Sequence, residues 1–145
     1  MAEKTASAVW NGTLAEGSGS VSTASGVLEN AGLTWKVRTT DTNEATSPEE
    51  LVAAAHAACY AMAFSYALGN AGTPPEKLEV TATVGFGPNP GGGMKVTHSK
   101  LHVKGTVAGL DQAAFSKAAV DAEKGCPISN ALRNNVDISV EAELA

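Results

Sequence analysis

The chain is 145 residues long, 43% hydrophobic and 17% charged, with a net charge of −5. That length supports one domain with its own core, and the sparse charge leaves room for an oligomer interface on part of the surface. The acidic balance, the lack of a basic cluster and an aromatic content of 5% argue against nucleic-acid binding.

Residues 5–40 read as strands, with turns at Gly17-Ser-Gly and Glu29-Asn-Ala-Gly32. The third strand alternates, with Leu33, Trp35 and Val37 on one face and Thr34, Lys36 and Arg38 on the other. A polar loop follows over 39–46. Ser47-Pro-Glu-Glu then opens a long helix: Ser47 suits the N-cap, Pro48 the first helical position, and Glu50 completes a capping box. The helix runs to about Leu68 and stops at Gly69-Asn-Ala-Gly72. From Leu51 to Leu68 it carries no formal charge, which reaches the lower limit for a membrane span. Eight of those residues are alanine, and His56, Ser65 and two tyrosines interrupt the run. A buried helix is the better reading, and no membrane is expected. Its many small side chains let another helix, such as that of a second copy, approach closely.

Thr73-Pro-Pro connects to a strictly alternating strand, with Leu78, Val80, Ala82, Val84 and Phe86 set against Glu79, Thr81 and Thr83. Gly87–Gly93 reads as a hairpin loop. It is no phosphate loop, because the Lys-Ser/Thr ending and the following helix are missing. Lys95–Thr106 is the returning strand. Asp111 caps a second helix, with Ala114, Phe115, Ala118 and Ala119 as its apolar residues, ending at Lys124-Gly125. Cys126-Pro127 begins a short helix to about Arg133, and Val136, Ile138, Val140, Ala142 and Leu144 alternate as a final strand. The order βββ-α-ββ-αα-β predicts an α+β fold with antiparallel pairing and helices on one face, in a single domain over 1–145.

The chemistry rests on two cysteines. They are too few for a disulfide scaffold, and the N-terminal segment has no apolar signal core, so a cytoplasmic setting is expected. In that setting the pair reads as a redox couple, as two unrelated buried thiols, or as a static disulfide. Cys59 lies in the uncharged helix, where burial raises a thiol pKa and makes it inert unless a cation is near. No lysine or arginine occurs between Arg38 and Lys77, so the activating charge comes from another element. Arg38 is the leading candidate, against the alternative of an ordinary exposed strand arginine. Glu49 precedes Cys59 by ten residues, about 15 Å along one helix, so it acts on Cys59 only through an arginine. The plainer reading of Glu49 is a favourable charge in the first helical turn. Cys126 sits at a helix start, at a Gly-Cys-Pro corner read as mobile, where it feels the positive end of the dipole. That suits a resolving thiol, although a small residue at a helix boundary looks the same. His56, His98, His102 and the cysteines form no tight metal-ligand pair, and His98, Lys100, His102 and Lys104 alternate as a solvated strand face.

Two motifs carry a resemblance. Thr46-Ser-Pro-Glu-Glu-Leu-Val-Ala-Ala-Ala-His-Ala-Ala-Cys-Tyr-Ala-Met-Ala closely resembles the first cysteine motif of the OsmC/Ohr family, and Lys124-Gly-Cys-Pro-Ile-Ser-Asn-Ala-Leu resembles its second. The early Gly17-Ser-Gly-Ser-Val-Ser-Thr-Ala-Ser-Gly26 also fits, and the wording is similar to the OsmC branch. The resemblance implies antiparallel sheets around a long central helix, in an intertwined homodimer with active sites at the subunit interface. It implies a thiol-dependent peroxidase that reduces organic hydroperoxides in oxidative and osmotic stress defence. By motif position, Cys59 is then the peroxidatic thiol, Cys126 the resolving thiol, and Arg38 and Glu49 the activating pair. An external dithiol, small or protein-bound, restores the enzyme, and no metal, flavin or other cofactor is implied. The alternative function is a thiol redox sensor or a non-catalytic stress-response dimer.

Overall fold

The computed structural model describes all residues, Met1–Ala145. The chain's contacts gather into two compact units, Met1–Leu51 and Val52–Ala145.

The first unit holds a three-stranded antiparallel sheet of β1 (Ala6–Asn11), β2 (Ser18–Thr23) and β3 (Ala31–Leu33), in the order β1-β2-β3. The third strand is shorter than the alternation predicts. Thr34 ends it by acting as an N-cap, its Oγ1 accepting from the Val37 N–H at 3.2 Å. A short helix, α1 (Trp35–Thr39), follows. Threonines close its far end as well: the Thr39 hydroxyl donates to the Trp35 carbonyl at 2.8 Å, and the Thr40 hydroxyl to the Lys36 carbonyl at 2.7 Å. Capping by side chains overrides a strand-like alternation only three residues deep on each face. Arg38 is therefore a helical residue and not a strand residue.

The long helix α2 spans Pro48–Asn70. Ser47 caps it as expected, its Oγ accepting from the Glu50 N–H at 3.1 Å. The Glu50 carboxylate accepts from the Thr46 hydroxyl at 2.6 Å, so the second half of the capping box is made with a side chain.

The second unit contains most of α2, then β4 (Lys77–Pro88), β5 (Met94–Thr106), α3 (Gln112–Glu123), α4 (Pro127–Leu132) and β6 (Asp137–Leu144). Its sheet runs β4-β5-β6. The α+β class and the order of elements match expectation, with α1 added. One pairing departs from it: β4 and β5 are antiparallel, but β5 and β6 are parallel, with Leu101 opposite Val140. The physical reason is the connection. Parallel neighbours need a crossover of a dozen or more residues, and α3 with α4 supplies one.

The strand β5 alternates as predicted. Ser99, Leu101, Val103 and Gly105 are buried, while Lys100, His102 and Lys104 are exposed. The exposed face is a charge ladder, with Lys104 3.4 Å and His102 4.0 Å from the Glu143 carboxylate. The buried face meets Tyr60, Phe64 and Leu68 of α2 and Phe115, Ala119 and Ala122 of α3. The Phe64 and Phe115 rings pack at a centroid distance of 5.2 Å, tilted to each other. Met62 and Tyr66, on the other side of α2, are 74% and 73% exposed.

Gly105 sits where the Phe115 ring crosses β5, and a Cβ at this position would fall directly on the ring, with Leu78 close behind. Gly105→Ala is expected to destabilise the protein by about 1–3 kcal/mol. A chemical denaturation midpoint checks this.

Candidate active site

The four residues singled out by sequence fall into two pairs, one in each compact unit. In the first unit, α1 presents Arg38 to Glu49 at the start of α2. The guanidinium Nη2 lies 3.0 Å from Glu49 Oε1, and Nε donates to both carboxylate oxygens at 3.2 Å. Glu49 is 6% exposed, and the Arg38 side chain keeps about a third of its surface. A buried carboxylate needs such a partner, and the charge-assisted bonds of the guanidinium supply it. The carboxylate in the first helical turn thus does more than favour the helix dipole.

In the second unit, α2 carries Cys59 and the α3–α4 corner carries Cys126, both as free thiols. Cys59 is less buried than its apolar helix suggests. Cys126 is completely buried, whereas Cys59 is only partly so. An uncharged helix gives no polar face from which to read its orientation. The buried stripe of α2 runs through His56, Tyr60, Phe64 and Leu68, and Cys59 lies at its margin.

Cys126 is the N-cap of α4. Its Sγ accepts from the Ser129 N–H at 3.4 Å, and Pro127 takes the first helical position. The corner read as mobile is well tied. The Gly125 N–H donates to the Ala122 carbonyl at 3.0 Å, and the Cys126 N–H to the Glu123 carbonyl at 3.1 Å. Arg133, at the far end of α4, grips Glu123, at the end of α3, through two bonds of 3.1 and 2.9 Å. This fork closes the base of the corner and had no signal in the sequence, because the two residues are ten apart across a helix break.

Cys59 sits beside Cys126. Burial pushes its pKa above the ordinary thiol value, and the neighbouring Cys126 raises it further. The Ile128 backbone N–H, at the start of α4, opposes both. No cation is among the groups that act on it. The second unit therefore brings two sulfurs together but does not by itself favour a thiolate.

His56 is the polar residue whose role the sequence left unread. It is fully buried, with Nδ1 2.7 Å from Ser99 Oγ and Nε2 2.7 Å from Ser129 Oγ. Both ring nitrogens are thus occupied, and no three His, Cys, Asp or Glu side chains converge as a metal site. Serines scattered 43 and 73 positions away gave no pattern to find.

Against this geometry, comparison with known proteins is decisive. The model of the family described as OsmC-like protein matches residues 40–141. The chain belongs to the OsmC-like family. It is 36% identical over 138 residues to the Escherichia coli (strain K12) protein named peroxiredoxin OsmC, covering 95% of each chain. It is 33% identical over 98 residues to the organic hydroperoxide resistance protein of Xanthomonas axonopodis pv. citri, covering 67% of this chain and 66% of that one. Among solved structures, OhrB of Bacillus subtilis superposes with a TM-score of 0.76 at 26% identity, covering 96% of this chain and 98% of that one. An OsmC protein of Legionella pneumophila gives 0.73 at 29% identity, with 99% of each covered. The family match, the relatives and the solved structures all agree with the resemblance carried by the cysteine motifs.

Burial favours the neutral His56 ring and lowers its pKa below the ordinary 6.5, against a smaller opposing pull from Glu123. The unfolded chain takes up a proton near pH 6.5, and the folded chain does so only at lower pH. Stability is thus complete above about pH 6.5 and falls as the pH drops through that value towards the depressed folded pKa. In urea titrations between about pH 7.5 and 5 this slope should be present in the native protein and reduced in His56→Gln.

Proposed function

We propose that this protein is a thiol-dependent peroxidase that reduces organic hydroperoxides to alcohols, using Cys59 as the peroxidatic and Cys126 as the resolving thiol. The observation that carries the reading is that Cys59 of α2 and Cys126 at the start of α4, both free thiols, are close enough to act on each other. Peroxide defence is the role printed in the names of the relatives, peroxiredoxin OsmC and organic hydroperoxide resistance protein.

The mechanism follows from the charges. Cys59 needs a cation to become a nucleophile, and none is among the groups that shift its pKa. Arg38, aimed by Glu49, is that cation. It stabilises the thiolate and polarises the peroxide. The thiolate attacks the outer peroxide oxygen, the O–O bond breaks, and the alkoxide leaves as the alcohol after taking a proton. Cys59 is now a sulfenic acid. Cys126 attacks it, the S–O bond breaks and water leaves, giving a Cys59–Cys126 disulfide. An external dithiol reduces the disulfide and closes the cycle, with no metal or flavin.

The assembly is a homodimer with the site at the subunit interface. The exposed apolar surface at Met62 and Tyr66 of α2 and at Val9 and Trp10 of β1 supports association. An apolar interface also favours organic peroxides over hydrogen peroxide, because it can bury an alkyl group.

Steady-state consumption of cumene hydroperoxide with a dithiol tests the proposal, and a single stoichiometric oxidation without turnover would overturn it in favour of a sensor. Cys59→Ser should abolish turnover. Cys126→Ser should permit one oxidation and then hold a sulfenic acid that a nucleophilic probe captures. Arg38→Ala is expected to slow the peroxide step by about 100-fold, the usual cost of losing one preorganised electrostatic group.

A further inference from the structure

We propose that His56 is a positioning residue for disulfide closure, joining the two helices that carry the thiols by a hydrogen-bonded rung parallel to the disulfide itself. The inference rests on the two-thiol reading above and deepens it.

The geometry is specific. His56 and Cys59 are three residues apart on α2 and share a face of that helix. Ser129 and Cys126 are likewise three residues apart at the start of α4. The imidazole Nε2 meets Ser129 Oγ at 2.7 Å, and Cys59 lies beside Cys126. The same Ser129 donates its backbone N–H to Cys126 Sγ at 3.4 Å. One residue therefore binds the histidine with its side chain and the resolving sulfur with its main chain. On the other side of the ring, Ser99 of β5 meets Nδ1 at 2.7 Å, so the imidazole is fixed from the sheet as well.

The chemistry of the ring suits this role and excludes others. A neutral imidazole offers one N–H and one lone pair, and a hydroxyl can meet either. The two serines thus satisfy the ring in either tautomer, and no buried side-chain nitrogen or oxygen in the protein lacks a partner. A fully buried ring with both nitrogens taken has no free site for a metal or for substrate. Packing alone does not call for it either, since an apolar side chain of similar volume would fill the space without the desolvation cost of an imidazole. What the histidine adds is directional registry between α2, β5 and α4.

The step that depends on this registry is closure. In the Cys59 sulfenic acid, Cys126 Sγ attacks Cys59 Sγ. The S–S bond forms, the S–O bond breaks, and the departing hydroxide combines with the Cys126 proton as water. The oxidant is the organic hydroperoxide consumed in the preceding step. Attack needs the two sulfurs in line, and displacements on the scale of an ångström carry large rate penalties. Loosening the rung should slow closure and prolong the sulfenic acid, while leaving its formation unchanged.

The experiment measures the two steps separately in the full-length protein. Reduced native protein, Ser129→Ala and Ser129→Thr are mixed with cumene hydroperoxide and quenched with a sulfenic-acid-trapping dione. Mass spectrometry then counts thiol, adduct and disulfide over time. Ser129→Ala should form sulfenic acid at the native rate but close the disulfide about tenfold more slowly, accumulating adduct. Ser129→Thr, which keeps the hydroxyl, should close at close to the native rate. Ser99→Ala, which leaves α4 untouched, should also slow closure and serves if Ser129→Ala fails to fold. Equal closure rates in the alanine variants and the native protein would overturn the inference, as would slowing of both steps by the same factor, which marks a general structural loss. Failure of the native protein to form any disulfide would instead overturn the two-thiol reading beneath it.

Discussion

The second unit depends on the polar groups along the buried stripe of α2. Burying Tyr60, Phe64 and Leu68 against β5 and α3 carries the His56 ring and the Tyr60 hydroxyl out of water. Each would cost the fold unless bonded, and each is bonded to a different element. Tyr60 donates to the Ala119 carbonyl of α3 at 2.7 Å. His56 takes Ser99 of β5 and Ser129 of α4. Apolar packing alone tolerates sliding between helices, but these bonds do not. The relative positions of α2, α3, α4 and β5 are thereby fixed, and the placement of the two sulfurs follows.

Bringing two sulfurs together and favouring a thiolate are separate problems. The second unit solves the first and works against the second, because burial and the neighbouring thiol both raise the Cys59 pKa. The charge that suits activation is assembled elsewhere, in the Arg38–Glu49 pair of the first unit. On the proposed reading, a thiol that is unreactive without its cation is protected from indiscriminate oxidation, and reactivity appears only where the complete site is formed. The Glu123–Arg133 fork adds a further constraint by holding the ends of α3 and α4 together behind Cys126.

Much of this was legible in the chain. The N-caps at Ser47 and Asp111, the start of α4 at Cys126, the β4–β5 hairpin and the inward face of β5 all rest on signals a few residues long. The candidate site residues Arg38, Glu49, Cys59 and Cys126 were also visible as a set of unusual groups, and two of the six possible pairs among them, Arg38 with Glu49 and Cys59 with Cys126, occur in the structure. The strand reading of residues 34–38 failed because Thr34 can cap a helix as readily as continue an alternation. The parallel β5–β6 pair was missed although the α3–α4 crossover implies it.

By itself, then, the sequence determined most of the local elements, their caps and the candidate reactive groups, since these depend on residue identity and on backbone preferences and hydrogen bonds within a few residues. Tertiary structure alone decided which cysteine is the more buried and which serines hold His56. An uncharged helix such as α2 has no polar face to reveal its orientation, and Ser99 and Ser129 reach the histidine only after a sheet and a crossover have folded. Long-range hydrogen bonds leave no periodic trace in the chain, so the registry of the thiol pair exists only in the folded protein.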